Sequence, residues 1–150
     1  MTRIDATNER ILSALETDGK ISNVDLAEQV GLSPSACLRR VQELERTGVI
    51  KGYRAIINKS ELGPSMTIFV MVALSGQLRK DALAFEQAMA AAAEVKECHN
   101  VTGDVEYMLR VEVSDLSAYK DFHSNRLGIL PQVASITSYI CLGTSKDERG

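Results

Sequence analysis

From Asp5 to Lys59 the apolar residues return every third or fourth position, the period of helices lying on a shared core. Ile4, Ile11, Leu12 and Leu15 mark a first stretch. Asp5 opens it, with a carboxylate able to accept the free amide hydrogens of a first turn, and Asp18-Gly19 ends it. Ser22-Asn23 opens a second, shorter stretch carrying Val24, Leu26, Ala27 and Val30, stopped by Gly31. Ser33-Pro34 starts a third, with serine as N-cap and proline at the first helical position, where a missing amide hydrogen costs nothing. Its expected buried face is Cys37, Leu38, Val41 and Leu44, and it stops at Thr47-Gly48. Val49–Ile57 reads as extended chain leaving this bundle.

The breaker cluster Leu62-Gly63-Pro64-Ser65 then marks a linker over 61–66, and beyond it the period changes. Thr67–Leu74 is dense in β-branched and large apolar residues and predicts a strand. Asp81–Ala93 predicts an alanine-rich helix with Phe85 and Met89 on one face. Strands follow over Val95–Val101 and Tyr107–Val113, on either side of a turn at Thr102-Gly103-Asp104. Ser114-Asp115 caps a second helix holding Leu116, Tyr119, Lys120, Phe122 and His123. Leu130-Pro131-Gln132 breaks it, and Val133–Leu142 is the last strand. The order is βαββαβ, which predicts a four-stranded antiparallel sheet with both helices on one face. The expected class is therefore α+β: a three-helix domain over 1–60 with a helix-turn-helix at about 22–47, a ferredoxin-like domain over 67–142, and a polar, frayed tail over 143–150.

Composition narrows the reading. Of 150 residues, 45% are apolar and 25% charged, the balance of an ordinary globular protein. The apolar run Met66–Leu74 is about half the length of a membrane span, and Met-Thr-Arg-Ile-Asp has no signal-peptide core. Three widely spaced cysteines, Cys37, Cys98 and Cys141, without a CxxC pair, predict reduced thiols and a cytoplasmic setting. The net charge of −3 is uneven: residues 1–60 carry nine Lys/Arg against eight Asp/Glu, residues 61–150 eight against twelve. An acidic chain cannot bind nucleic acid through bulk charge and needs a local basic surface, which only the first segment offers.

Val30-Gly31-Leu32-Ser33 joins two helices in the outline of a helix-turn-helix, whose second helix enters a DNA major groove. With 37, 38, 41 and 44 inward, Ser35, Ala36, Arg39, Arg40, Gln42, Glu43 and Arg46 face outward, next to the capping Ser33. Small residues at 35 and 36 allow close approach, Arg39 can fork onto guanine, Gln42 can pair with adenine, and Arg40 and Arg46 suit phosphates. The bland alternative is a three-helix bundle with solvated surface arginines.

The run Gly19-Lys-Ile-Ser-Asn-Val-Asp-Leu-Ala-Glu-Gln-Val-Gly-Leu-Ser-Pro-Ser-Ala-Cys-Leu-Arg-Arg-Val-Gln-Glu-Leu-Glu-Arg-Thr-Gly-Val-Ile-Lys-Gly-Tyr53 resembles the Lrp/AsnC, or feast/famine, transcriptional regulators, nearest to their leucine-responsive branch. Glu97-Cys98-His99 and Val101-Thr-Gly-Asp-Val-Glu-Tyr-Met-Leu-Arg110 resemble that family's effector-domain signature. The resemblance spans essentially the whole chain. It implies binding of double-stranded DNA, nucleoid association, dimers that assemble further into octamers or similar rings, and an amino acid, leucine or similar, bound between dimers. It implies no other cofactor and no membrane. The strand Thr67–Leu74 supports dimerisation independently, because Phe69, Met71 and Ala73 are apolar as well as Ile68, Val70, Val72 and Leu74, while Arg110 and Glu112 dilute the second face.

An amino acid needs amide hydrogens for its carboxylate, an acceptor for its ammonium and a selective pocket. Thr102-Gly103-Asp104 can supply the polar parts, although Gly-Asp is also common in plain hairpins. The resemblance assigns the effector site to this turn, with Val101 leading into it and Tyr107, Thr137, Ser138 and Tyr139 nearby. His99, Asp104 and Glu106 as metal ligands are a weaker reading, since no second histidine is placed beside them. Cys37 reads as a core residue and Cys98 as an unactivated thiol. No catalytic motif is present, so no enzyme is expected. Two alternatives stay open: a sirohaem-decarboxylase-like enzyme, which resembles this architecture, and an effector-independent DNA organiser.

Overall fold

The computed structural model describes residues 4–147. The chain divides into two compact units between Ile56 and Ile57.

In the first unit, α1 (Ala6–Thr17), α2 (Asn23–Val30) and α3 (Pro34–Arg46) each begin at a side-chain cap. The caps are Asp5 accepting from Asn8 N–H, Ser22 from Asp25 N–H and Ser33 from Ala36 N–H. Gly31 ends α2 at φ 71°, a left-handed conformation that glycine adopts without strain. The turn is closed by Leu32 N–H donating to Ala27 O at 2.9 Å. Ile11, Leu26, Ala27, Val30, Cys37 and Leu44 form the core, with Leu12, Leu15, Ile21, Leu32 and Val41 packed around it. One expected core position is corrected: Leu38 is 45% exposed. Cys37 and Leu44, seven residues apart, lie within about 20° of one helical line, whereas Leu38 falls about 100° beyond Cys37. The core ends before it reaches that flank.

The second unit opens with a 3₁₀ turn (Lys59–Leu62), so the expected linker at 61–66 is partly structured, and Met66 already belongs to β1. The elements are β1 (Met66–Leu74), α4 (Arg79–Ala91), β2 (Val95–Asn100), β3 (Tyr107–Val113), α5 (Leu116–Phe122) and β4 (Val133–Ile140). The strands pair antiparallel in the order β2-β3-β1-β4. Helix α4 starts two residues before the expected Asp81, which sits instead in the first turn, where a carboxylate favours the helix dipole. His123 is corrected too: α5 ends at Phe122, and His123–Leu127 form a π turn. β2 and β4 stop one and two residues short of their expected ends. The polar tail is described to 147, and its last three residues lie outside the described range.

One face of the sheet carries Ile68, Val70, Val72, Tyr107, Leu109 and Val111, packed against Phe85 and Met89 of α4 and Tyr119 and Phe122 of α5. Neither α4 nor α5 packs on the opposite face. Its rows are set by register: Phe69 stands between Arg110 and Tyr139, and Met71 between Met108 and Thr137. Towards β2 this face is ionic, with Arg110 Nε 3.2 Å from Glu97 Oε1 and with Lys59 and Arg110 both bonded to Glu112. Towards β4 it is apolar and hydroxylic. Burial alone pushes the Glu112 carboxyl up, but the bonds from Lys59 and Arg110 outweigh it and hold the group below its ordinary range.

Candidate nucleic-acid interface and effector turn

On α3 the buried line through Cys37 and Leu44 leaves Ser35, Arg39, Gln42 and Arg46 on the opposite side, all exposed. Ser33 is exposed beside them, its Oγ 3.3 Å from Ser35 Oγ, and Ala36 is half-buried. The three arginines, equivalent by composition, are in different states. Arg40 is held by α1: Nη1 donates to both Asp5 carboxylate oxygens at 3.0 and 2.8 Å and to Asn8 Oδ1 at 3.0 Å. That guanidinium holds the Asp5 carboxyl below its usual range, with help from the Asn8 amide. Arg46 forks onto Glu43 at 2.8 and 2.6 Å, and Glu43 is lowered for the same reason. Arg39, among the described residues, has no ion-pair or hydrogen-bond partner, so it can meet an incoming ligand without giving one up. A second tie, Asn23 Nδ2 to Pro34 O at 2.8 Å, fixes the start of α3 to α2.

In the second unit the β2–β3 turn is anchored at its exit. Val101 N–H donates to Glu106 O at 2.9 Å and Glu106 N–H to Val72 O at 3.1 Å. Glu106 Oε2 in turn accepts from Leu74 N–H at 2.7 Å. The tip, Thr102-Gly103-Asp104, stands exposed, and Gly103 has φ 129°, which a side chain at this position would strain. The other residues grouped with the turn lie elsewhere in the protomer. Tyr107 is a core residue, 1% exposed: its ring packs on Phe85 at a 4.7 Å centroid distance and its OH donates to Glu86 Oε1 at 2.6 Å. Burial, then the bond to Glu86, push its phenol far above the ordinary range. Ser138 points to the same helix-covered face, bonded to Tyr119. Thr137 and Tyr139 pair with Met71 and Phe69 on the open face. Strand alternation separates them from Ser138, and three strand spacings, about 14 Å, separate β4 from β2. One protomer therefore does not gather Tyr107, Thr137, Ser138 and Tyr139 around the turn.

A groove of about 320 Å³ does open between α4 and β2, lined by Glu86, Met89, Ala90, Val95, Lys96, Glu97 and Cys98. It includes none of the expected effector residues. Burial, with Glu86 nearby, pushes the Cys98 thiol up to about 11, which suppresses its thiolate.

A family model described as the Lrp/AsnC ligand binding domain matches residues 67–150, and one described as winged helix-turn-helix DNA-binding matches residues 4–51. The chain belongs to the Lrp/AsnC family. It is a transcriptional regulator with a helix-turn-helix half and a ligand-binding half. The leucine-responsive regulatory protein of Escherichia coli is 40% identical over 139 residues, 93% of this chain and 85% of that one. Among solved structures, a transcriptional regulator from Neisseria meningitidis in complex with L-methionine superposes with a TM-score of 0.91 at 29% identity, covering 97% and 94% of the two chains. The feast or famine regulatory protein of M. tuberculosis, complexed with L-methionine, gives 0.85 at 30% identity over 99% and 98%. For an Lrp/AsnC regulator, the feature that residue types alone missed is the Arg40–Asp5–Asn8 clamp, which joins positions more than thirty apart and leaves no local signal. The exposure of Leu38 does have a local signal, its angular offset from the Cys37–Leu44 line.

Proposed function

We propose that α3 reads double-stranded DNA with Ser35, Ala36, Arg39 and Gln42 at the bases and Ser33 and Arg46 at phosphates, while Arg40 positions the helix. The observation that carries this reading is Arg39, exposed and without a partner among the described residues, on the outward face of a capped, glycine-turned helix-turn-helix. We further propose that DNA binding responds to a small amino acid, leucine or methionine, held at the Thr102-Gly103-Asp104 turn. The glycine-exposed amides suit the carboxylate and Asp104 suits the ammonium. The methionine complexes of two family members support that class of ligand.

The open sheet face around Phe69 and Met71 is the proposed two-fold dimer surface, and dimers assemble further, to an octamer, with the effector between dimers. In that arrangement Val101, Thr137 and Tyr139 line the site together with a neighbouring subunit, Tyr107 supports it from within the core, and Ser138 supports it through its bond to Tyr119. The ligand acts by its different affinity for the two packings of the dimers. No catalysis is assigned, and the setting is cytoplasmic, on the nucleoid. Among the described residues no helix is long and apolar enough to cross a membrane.

The test is a thermal-shift screen against the twenty amino acids, followed by anisotropy on duplex DNA with and without each hit. A ligand that binds the folded form raises the melting midpoint by mass action. A selective shift that also changes DNA affinity supports the reading. No shift with any amino acid removes the effector half of it, and loss of sequence-selective DNA binding removes the rest.

A further inference from the structure

The geometry points to Leu38 as a base-reading residue that meets the 5-methyl group of a thymine in the major groove. This rests on the proposal that α3 reads DNA. Leu38 is 45% exposed in the middle of α3, while Cys37 beside it is fully buried. It is absent from the hydrophobic cluster of its unit, to which this helix contributes Cys37, Leu44 and the partly buried Val41. A half-exposed leucine at this place cannot be explained by the core.

Its neighbours on the helix surface are the reading residues. Ser35 lies three positions before it and Gln42 four after, the spacings that place side chains side by side. Leu38 and Arg39 bound an arc of about 100° with Ser35 and Gln42 between them. The other flank of the outward side is already committed, since Arg40 is tied to Asp5 and Asn8, and Glu43 to Arg46. An apolar branch can satisfy no donor or acceptor on a base edge, and the thymine methyl is the apolar feature that the major groove presents. Arg39 at one border of the arc and Leu38 at the other thus read different chemistry: a guanine edge and a methyl group.

The experiment begins with selection from a random-sequence duplex pool by the full-length wild-type protein. The enriched duplex is resynthesised with deoxyuridine replacing each thymidine in turn, which removes only the methyl group. Each duplex is titrated with wild type, Leu38→Ala and Leu38→Gln by fluorescence anisotropy, and circular dichroism confirms that the variants fold. Burying one methyl group is worth about four-fold in affinity. The expected result is one thymine per half-site whose replacement weakens wild type about four-fold and leaves both variants unchanged. The inference is overturned if every replacement weakens wild type and variants equally, or if the enriched site has no thymine in it. If wild type enriches no sequence, the DNA-reading proposal fails first and this one with it. If it enriches a site without methyl coupling to Leu38, only this inference fails.

Discussion

Replacing Arg40 by alanine removes three hydrogen bonds at once, two to the Asp5 carboxylate and one to Asn8 Oδ1. Asn8 is only 8% exposed, so its side-chain oxygen loses its donor where water does not easily substitute. Leaving such an acceptor unpaired costs about 1–3 kcal/mol. Each kcal/mol lowers the melting midpoint of a domain this small by about 4–8 °C. Arg39→Ala removes a neighbouring guanidinium that has no partner among the described residues, on an exposed helix face where such changes stay within about 0.5 kcal/mol. The two variants should therefore separate. Arg40→Ala should lower the midpoint of the helical unit, followed by circular dichroism at 222 nm. Arg39→Ala should hold that midpoint and lose about 1–3 kcal/mol of affinity at the selected DNA site, roughly 5- to 150-fold by anisotropy. An Arg40→Ala protein that melts like wild type but loses DNA affinity and about one unit of salt slope would refute the clamp and return Arg40 to the phosphates.

Three further outcomes follow from the same geometry. Asp104→Ala changes an exposed side chain, so it should keep the melting midpoint and DNA affinity yet lose the amino-acid response; an unchanged effector dose-response removes Asp104 from the site. Met71→Lys puts a charge at the centre of the open sheet face, and sedimentation should then show a smaller assembly; an unchanged mass would mean that this face is not the dimer surface. Asp5 and Glu43 are both held below the ordinary carboxylate range by Arg40 and Arg46. Their contribution is complete above the unfolded values, near pH 4, and is lost as pH falls through the lower folded ones. Melting midpoints should thus drop below about pH 4, and Arg40→Ala should flatten the Asp5 share of that drop; parallel curves for wild type and variant would contradict the pairing.

Much of the architecture was legible because it is written in local chemistry. Asp5, Ser22, Ser33 and Asp115 each accept an amide hydrogen at the head of a helix, and each was identifiable as a capping residue at a change of period. Gly31 takes the left-handed conformation that the turn requires. The βαββαβ order anticipated a four-stranded antiparallel sheet with both helices on one face. The candidate site was less legible. Nothing in the residue types distinguishes Arg39 from Arg40, and adjacent cations on one helix become a free group and a strut only when α1 brings Asp5 and Asn8 alongside. Tyr107 and Ser138 carry hydroxyls of the kind a ligand site uses, yet packing turns both toward the helices, where Glu86 and Tyr119 satisfy them.

The sequence by itself determined the elements, their order, the helix-turn-helix and the family, since caps, turns and hydrophobic period act within a few residues of one another. Tertiary structure alone decided which arginine is without a partner among the described residues, and that the residues grouped around the effector turn fall on opposite faces and distant strands. Those outcomes depend on contacts between segments tens of residues apart, and the alternation of a strand settles a side chain's face only once the register of the sheet is set.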